Sequence, residues 1–224
     1  MPLQNRVTPA GDIVADPGRG LMMGNRGCLH GTARELGVSR WRSKLWICCV
    51  LDWKGVQRDP MPPGRWTALF FLDEATALAA GHRPCAYCRR GDFLGFAEAW
   101  RAARHLDRRP RAAEMDAILH HERVDRARRQ ITRPVSAGAL PDGVMIRVGG
   151  VTGLLINGRL RPWSFQGYAA AAGVGGPGPA ELLTPPSILA AIRAGYRPLV
   201  HPTALARPGR AGGTPPGVRG HVPR

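Results

Sequence analysis

The sequence predicts an α+β protein in which a small mixed unit of strands and helices is joined by a helical connector to a C-terminal β-meander. Three observations support this class: apolar residues alternate with a period of two from Leu45, they recur at helical spacing over 92–105, and short β-like runs flank Asn157-Gly158, a strong hairpin signal. Apolar residues make up 44% of the 224 residues and charged residues 21%, a composition that can bury a core. We therefore expect a folded protein.

Residues 1–44 are predicted to be an irregular segment packed on the core. The segment is rich in Gly, Arg and Asn, and its turn signals are Asp16-Pro17-Gly18 and the run 24–27. Only the run 12–14 resembles a strand. Such a segment must be supported by another part of the chain.

Residues 45–105 are predicted to form the mixed unit. The first strand follows from the alternation over 45–53, and its core face is predicted to hold the odd-numbered residues Leu45, Ile47, Cys49 and Leu51. A second strand is predicted over 66–71. Asp73 as an N-cap and Gly81 as a stop predict a short helix between them, and a longer helix follows over 92–105.

The remaining chain is predicted to comprise a helical connector over 106–140, a β-meander with a short helix over 141–206, and a disordered basic tail over 207–224. The tail contains Gly, Pro and Arg with almost no apolar residues. The expected elements are a helix at 112–129, strands at 144–148, 151–156, 159–163 and 181–184, and a helix at 185–194.

The charge of the chain points to a polyanionic partner. The 32 basic residues, of which only Lys44 and Lys54 are lysines, face 16 acidic ones, so the net charge is +16. An excess of this size attracts nucleic acid. No apolar run is long enough to span a membrane, and the first residues lack the apolar stretch of a secretory signal. We therefore expect a soluble cytoplasmic protein with nucleic acid, most readily DNA, as its partner.

The most specific motif is Cys85-Ala-Tyr-Cys88. Two cysteines at this spacing on a tight turn can point both sulfur atoms at one tetrahedral zinc ion, although a pair of small buried residues or a redox dithiol would show the same spacing. The chain has five cysteines, an odd number that argues against a disulfide framework. The other two ligands would come from Cys28, His30, Cys48, Cys49 and His82, of which we favour His30 and Cys49.

The runs 46–50 and 69–90, the latter reading LFFLDEATALAAGHRPCAYCRR, resemble the second half of the zinc-binding N-terminal domain of Ada-type DNA-repair proteins. The whole chain also resembles a bacterial family in which this element is embedded. The resemblance implies a zinc ion held by Cys85 and Cys88, with the preceding strand beside their turn. Ada domains carry a first cysteine pair that would fall near 56–61 and that includes the methyl acceptor. This sequence has no cysteine there, so methyl-acceptor activity is not implied.

Candidate nucleic-acid contacts surround the metal turn and continue into the C-terminal third, where Glu181 is the single acidic residue after Asp142. The arginines that we expect to contact phosphates are Arg83, Arg89, Arg90 and Arg197. Tryptophans interleaved with cations suit stacking on bases, and Trp41 and Trp53 are the candidates for that role.

Two other functions stay open at this point. Asp116 and His120 share one helix face and, with His121, Glu122 and His201, could serve a metal-dependent nuclease or phosphodiesterase. A protein-interaction module with a structural zinc is the third interpretation. We favour a zinc-stabilised nucleic-acid-binding protein that is not an enzyme.

Overall fold

The computed structural model describes residues 1–57, 59–171 and 179–206 and confirms the α+β class. The basic tail predicted over 207–224 lies outside the described residues. The elements, in chain order, are β1 (Gln4–Val7), β2 (Ile13–Ala15), β3 (Met22–Asn25), β4 (Ile47–Val50), β5 (Leu69–Phe71), α1 (Glu74–Ala79), β6 (Arg83–Pro84), α2 (Arg90–Ala103), α3 (Ala112–Arg123), β7 (Arg133–Ser136), β8 (Met145–Val148), β9 (Val151–Ile156), β10 (Arg159–Ser164), β11 (Gly167–Tyr168), β12 (Pro179–Leu182) and α4 (Pro186–Arg193). No helix in these ranges is both long and apolar enough to cross a membrane.

The first sheet is mixed and has the strand order β2-β1-β5-β3-β4-β6. Three of its six strands come from the segment 1–44, which therefore differs from the irregular structure that we predicted. Gly24 in β3 shows why the pattern was misread. A Cβ on Gly24 would lie 2.0 Å from the carbonyl oxygen of Ile47 on β4, so this glycine marks a close approach of two strands rather than a loop.

The predicted core face of β4 is wrong. Trp46 and Cys48 are buried, with exposed fractions of 3% and 0%, whereas Leu45 and Leu51 are about half exposed. Both faces of the strand are apolar in sequence, so alternation alone does not decide which of them is covered. Cys48 belongs to the core that includes Ala77 and Ala80 around α1. The opposite face, which carries Cys49, is left to line a cleft.

The second sheet is antiparallel throughout and has the order β11-β10-β9-β8-β12-β7. It confirms the predicted meander: Asn157 and Gly158 join β9 to β10, and their φ angles of 51° and 66° are those of a type I′ hairpin. The helix within the predicted connector is shorter than expected, because α3 ends at Arg123 and Val124 is extended. Residues 133–136 then enter the sheet as its edge strand β7.

Helix α1 lies between the two sheets, and all six of its residues are buried. Ala77 packs into the core of the first sheet, while Ala75 and Ala79 pack with Met145 and Leu154 of the second. Short side chains allow both sheets to approach the helix. A separate core joins α2, α3 and α4 to the second sheet through residues such as Phe96, Trp100, Met115, Leu119 and Ile188.

Residues at the N-terminus of α1 form hydrogen bonds with tyrosines of the C-terminal part of the chain. Asp73 caps the helix by accepting from the Thr76 backbone N–H at 2.9 Å, as the sequence predicted, and it also accepts from the Tyr168 hydroxyl at 2.8 Å. Glu74 accepts from the Tyr196 hydroxyl at 2.6 Å and pairs with Arg89 at 2.9 Å. These bonds fix the position of α1, and the ion pair between Glu74 and Arg89 fixes the turn that follows the helix.

Candidate metal centre

Three cysteines converge at one end of the first sheet. Strand pairing sets Cys48 of β4 opposite Pro84 of β6, and the backbone N–H of Cys85 donates to the carbonyl of Cys48 at 2.9 Å. This register places the turn with Cys85 and Cys88 directly beside Cys49. The three sulfur atoms lie within 4.8 Å of one another. The fold thus joins Cys49 to a turn that begins 36 positions later in the sequence, and the three form one potential metal site.

The donor set fits a soft divalent ion. With Zn–S bonds near 2.3 Å, a tetrahedral site places its sulfur atoms roughly 3.8 Å apart, so the cluster needs only a small contraction. Three thiolates favour zinc over hard cations such as magnesium or calcium. Within residues 1–57, 59–171 and 179–206, no histidine, aspartate, glutamate or further cysteine joins the three. The described residues could therefore supply three of the four ligands that a tetrahedral metal requires.

The electrostatics of the cluster favour one thiolate before any metal is bound. A hydrogen bond from the Cys49 thiol and backbone N–H groups of Cys88 and Tyr87 lower the pKa of Cys85 to about 5, against the opposing effect of burial. The same hydrogen bond to Cys85, together with burial, raises the pKa of Cys49, and burial raises the pKa of Cys88. Metal binding would therefore release protons from Cys49 and Cys88.

His30, the other ligand favoured from the sequence, is not part of this cluster. Its Nδ1 lies 2.6 Å from the Thr67 hydroxyl and its Nε2 lies 3.1 Å from the carbonyl oxygen of Pro62. A carbonyl can only accept, so Nε2 donates and Nδ1 accepts. His82 is likewise committed, since its Nδ1 donates to the carbonyl of Ile47 and its Nε2 accepts from Arg26. Both histidines stabilise the fold.

The cluster borders a cleft of about 800 Å³ whose walls are mainly apolar. Aromatic residues from four separate places in the described chain line it: Trp53, Trp66, Phe70 and Tyr87. Trp53 and Tyr87 contact each other with ring centroids 5.4 Å apart, and Tyr87 is 71% exposed at the rim. The polar lining residues include Asn25, Asp52 and Gln57. A planar or apolar group can therefore reach the cysteines from solvent.

The arginines expected to contact phosphates divide into two pairs. Arg83 is buried and forms a two-point ion pair with Asp116, at 3.0 and 2.7 Å. Arg89 is also buried, and it binds Glu74 and Asp92. Neither guanidinium is therefore exposed for the phosphate contact that we expected: Arg83 holds the metal turn onto α3, and Arg89 holds it onto α1. Arg90 and Arg197 are exposed, as a phosphate contact requires.

The structure does not assemble the alternative hydrolytic site. Asp116 forms the ion pair with Arg83. The Glu122 carboxylate accepts hydrogen bonds from the backbone N–H of Ser187 at 2.9 Å and from its hydroxyl at 2.6 Å. His120 packs edge-on against Trp41, with centroids 4.6 Å apart. Burial, followed by the charge of Arg123, lowers the pKa of His120 to about 4. Trp41, a candidate for base stacking, is thus used in packing.

Sequence reasoning missed three aromatic residues of the cleft, Trp66, Phe70 and Tyr87. The strand register would have placed Phe70 beside the cysteines. Met23 of β3 pairs with both Cys49 and Phe70, so these two residues lie on one face of the sheet. That register depends on strand β3, which the sequence did not reveal. Tyr87 stands inside the cysteine motif, where its position beside a metal turn was available from spacing alone.

Comparison with known proteins adds no relative: no family model, no curated protein and no solved structure matches the chain. Its own residues define its class, an α+β protein with a three-cysteine candidate metal centre at the edge of an aromatic cleft. The resemblance of residues 46–50 and 69–90 to Ada-type domains stays a prediction.

Proposed function

We propose that the protein is a zinc-stabilised nucleic-acid-binding protein whose metal is held by Cys49, Cys85 and Cys88. One observation carries the proposal: three clustered thiols border an aromatic cleft in a chain with a net charge of +16. Zinc favours thiolate ligands, and a strongly basic protein attracts polyanions. The resemblance to Ada-type zinc domains supports the same conclusion, without methyl transfer.

The contacts with nucleic acid would differ from those expected from the sequence. Arg83 and Arg89 stabilise the metal turn, so electrostatic attraction falls to exposed cations such as Arg90 and Arg197. Aromatic residues in the cleft supply surfaces on which bases stack, an interaction worth about 1–3 kcal/mol per base. This combination suits a single strand better than a duplex, whose bases are already stacked.

Metal analysis of protein purified without chelator tests the zinc part of the proposal. We expect one zinc per chain, and we expect Cys85→Ser to lose it and to unfold at lower temperature, because structural metal binding is coupled to folding. Cys28→Ser is the matched control, since Cys28 is only partly buried and lies outside the cluster. Wild-type protein without stoichiometric zinc would contradict the proposal.

Binding of random-sequence single strands and duplexes at two salt concentrations tests the nucleic-acid part. Each neutralised phosphate on a single strand should lower log K by about 0.7 per tenfold increase in salt. We expect measurable binding at low salt and a steep loss at high salt. Failure to bind either nucleic acid at low salt would end this part of the proposal and leave the zinc site standing.

A metal-dependent enzyme acting on nucleic acid is the second candidate function. The observation in its favour is that three protein ligands are present in the described residues, as in catalytic zinc sites that keep one position for water or substrate. Incubation of zinc-loaded protein with labelled oligonucleotides tests it. Cleavage or base modification that disappears in Cys85→Ser would favour this function over simple binding.

A further inference from the structure

We infer that the aromatic cleft is a binding site for one unpaired nucleobase of a single-stranded nucleic acid, placed beside the three-cysteine centre. This inference rests on the proposed function and names the part of the nucleic acid that the site would take. Its ground is the combination of an aromatic interior, polar lining groups with both donors and acceptors, and cations that contact two of the lining aromatic rings.

The size and lining of the cleft suit a small planar group. Its volume of about 800 Å³ lies within the range of roughly 300–1,000 Å³ typical of small-ligand sites. Trp53 and Tyr87 form one aromatic surface near the rim, and Phe70 of β5 shares a sheet face with Cys49. Leu51 and Val56, also in the lining, are about half exposed. Exposed apolar surface gathered at a cleft marks a binding site.

The charges decide between a base and a phosphate as the occupant. A zinc ion with three thiolates carries a net charge of −1, and Asp52 adds another negative charge, while the described lining residues include no lysine or arginine. An anionic phosphate would therefore be repelled from the interior, whereas a neutral base would not be. Asn25 and Gln57 offer amide donors and acceptors that match the edges of bases.

Cations that are not part of the lining contact two of its aromatic rings, close enough to attract the phosphates that flank a bound base. The ammonium group of Lys54 lies 5.6 Å from the ring centroid of Trp53, and the guanidinium group of Arg6 lies 4.8 Å from that of Phe70. Arg90 is exposed two residues after Cys88. This arrangement, with an aromatic and negatively charged interior and with cations nearby, fits an unpaired nucleotide better than it fits a purely apolar ligand or a protein side chain.

The test compares two probes of equal charge with the zinc-loaded full chain at low salt. One is a single-stranded DNA of twelve nucleotides, and the other is the same strand with every base removed. We expect the strand with bases to bind at least fivefold more tightly, because each stacked base contributes about 1–3 kcal/mol. Trp53→Ala and Tyr87→Ala should each weaken binding of the strand with bases at least fivefold and leave binding of the abasic strand unchanged.

Trp41→Ala is the matched control, because Trp41 packs on His120 and is not part of the cleft lining. It should alter neither affinity, and zinc content shows that each variant is folded. Protein loaded with Co²⁺ provides a second readout, since a base entering beside the metal should change its visible absorption while the abasic strand should not.

The outcomes separate the inference from the proposed function. Equal affinity for the two strands, or an unchanged cobalt spectrum when the strand with bases is bound, would overturn the inference and leave electrostatic nucleic-acid binding intact. Absence of binding to either strand at low salt would overturn both. Tighter binding of the strand with bases, abolished in Trp53→Ala and Tyr87→Ala alone, would support both.

Discussion

Arg83 and Asp116 show how a residue that resembles part of a binding site can serve the fold. The sequence places Arg83 beside the metal motif and Asp116 on a charged helix, and both suggest surface chemistry. In the structure they form an ion pair whose side chains are 4% and 2% exposed. The pairing partner is 33 positions away, and local patterns do not reveal such a distant contact.

Removing one partner of this pair should be costly. Asp116→Ala leaves the guanidinium of Arg83 buried without a counter-charge, so we expect a loss of about 3–5 kcal/mol in the free energy of unfolding. Urea denaturation measures it. Glu114→Gln is the control, because the pair of Arg108 and Glu114 is exposed to solvent and should contribute little. Equal effects of the two variants would refute a structural role for Asp116.

The lowered pKa of His120 predicts that the stability of the protein depends on pH. Its pKa in the folded protein is about 4, below the value of 6.5 for a free side chain, so between these values the unfolded chain binds a proton that the folded chain does not. Stability should therefore fall as the pH is lowered through this window.

Urea denaturation at several pH values between 4 and 7 tests this dependence. His120→Gln should flatten it by on the order of 1 kcal/mol at pH 5, after allowance for solvent screening. His121→Gln, at an exposed neighbouring position, is the control. The interpretation fails if both variants show the wild-type profile.

At the scale of elements, the strongly patterned parts of the chain were predictable and the weakly patterned parts were not. The hairpin at Asn157-Gly158, the cap at Asp73 and the helix of α2 follow from local chemistry. The strands β1 and β3 are only four residues long, and β3 contains a glycine, so neither gives an alternating signal. The core face of β4 was not predictable either, because both of its faces are apolar in sequence.

A pair of glycine substitutions tests the register of β3 and β4. Gly24→Ala would bring a Cβ to 2.0 Å from the carbonyl oxygen of Ile47, so the two strands must separate and Cys49 must shift. We expect lower stability and weaker zinc binding. Gly95→Ala is the control, because Gly95 lies on exposed helix surface of α2 with nothing near its Cβ position, and it should raise stability by about 0.5–1 kcal/mol. Calorimetry and zinc titration provide the measurements, and unchanged zinc affinity in Gly24→Ala would argue against the register.

At the scale of the whole molecule, the fold assembles the candidate metal centre, and the net charge provides the attraction for nucleic acid that we propose. The first sheet carries the candidate metal centre and cleft, and helix α1 joins it to the second sheet. The spacing of Cys85 and Cys88 made them candidate ligands, the resemblance to Ada-type domains placed the strand with Cys49 beside their turn, and the structure brings these three cysteines together. The sequence alone could not exclude His30, since only the fold shows that its ring nitrogens are hydrogen-bonded to Thr67 and Pro62.

The net charge leads to a prediction for the C-terminal residues. Truncation after Ala206 removes four arginines and no acidic residue, which lowers the net charge from +16 to +12. We expect the salt dependence of single-strand binding to become shallower, by up to about 0.7 in log–log slope for each phosphate that the shortened chain no longer neutralises. Binding isotherms at several salt concentrations measure this slope. An unchanged slope would show that residues 207–224 neutralise no phosphates.

The most direct test of the account compares the zinc content of two adjacent cysteine variants. Cys49→Ala removes a proposed ligand, whereas Cys48→Ala removes a buried thiol that faces the opposite side of the same strand. We predict that Cys48→Ala retains one zinc per chain with some loss of stability, and that Cys49→Ala loses zinc or binds it far more weakly. Full zinc occupancy in Cys49→Ala, or loss of zinc in a folded Cys48→Ala protein, would contradict the proposed centre.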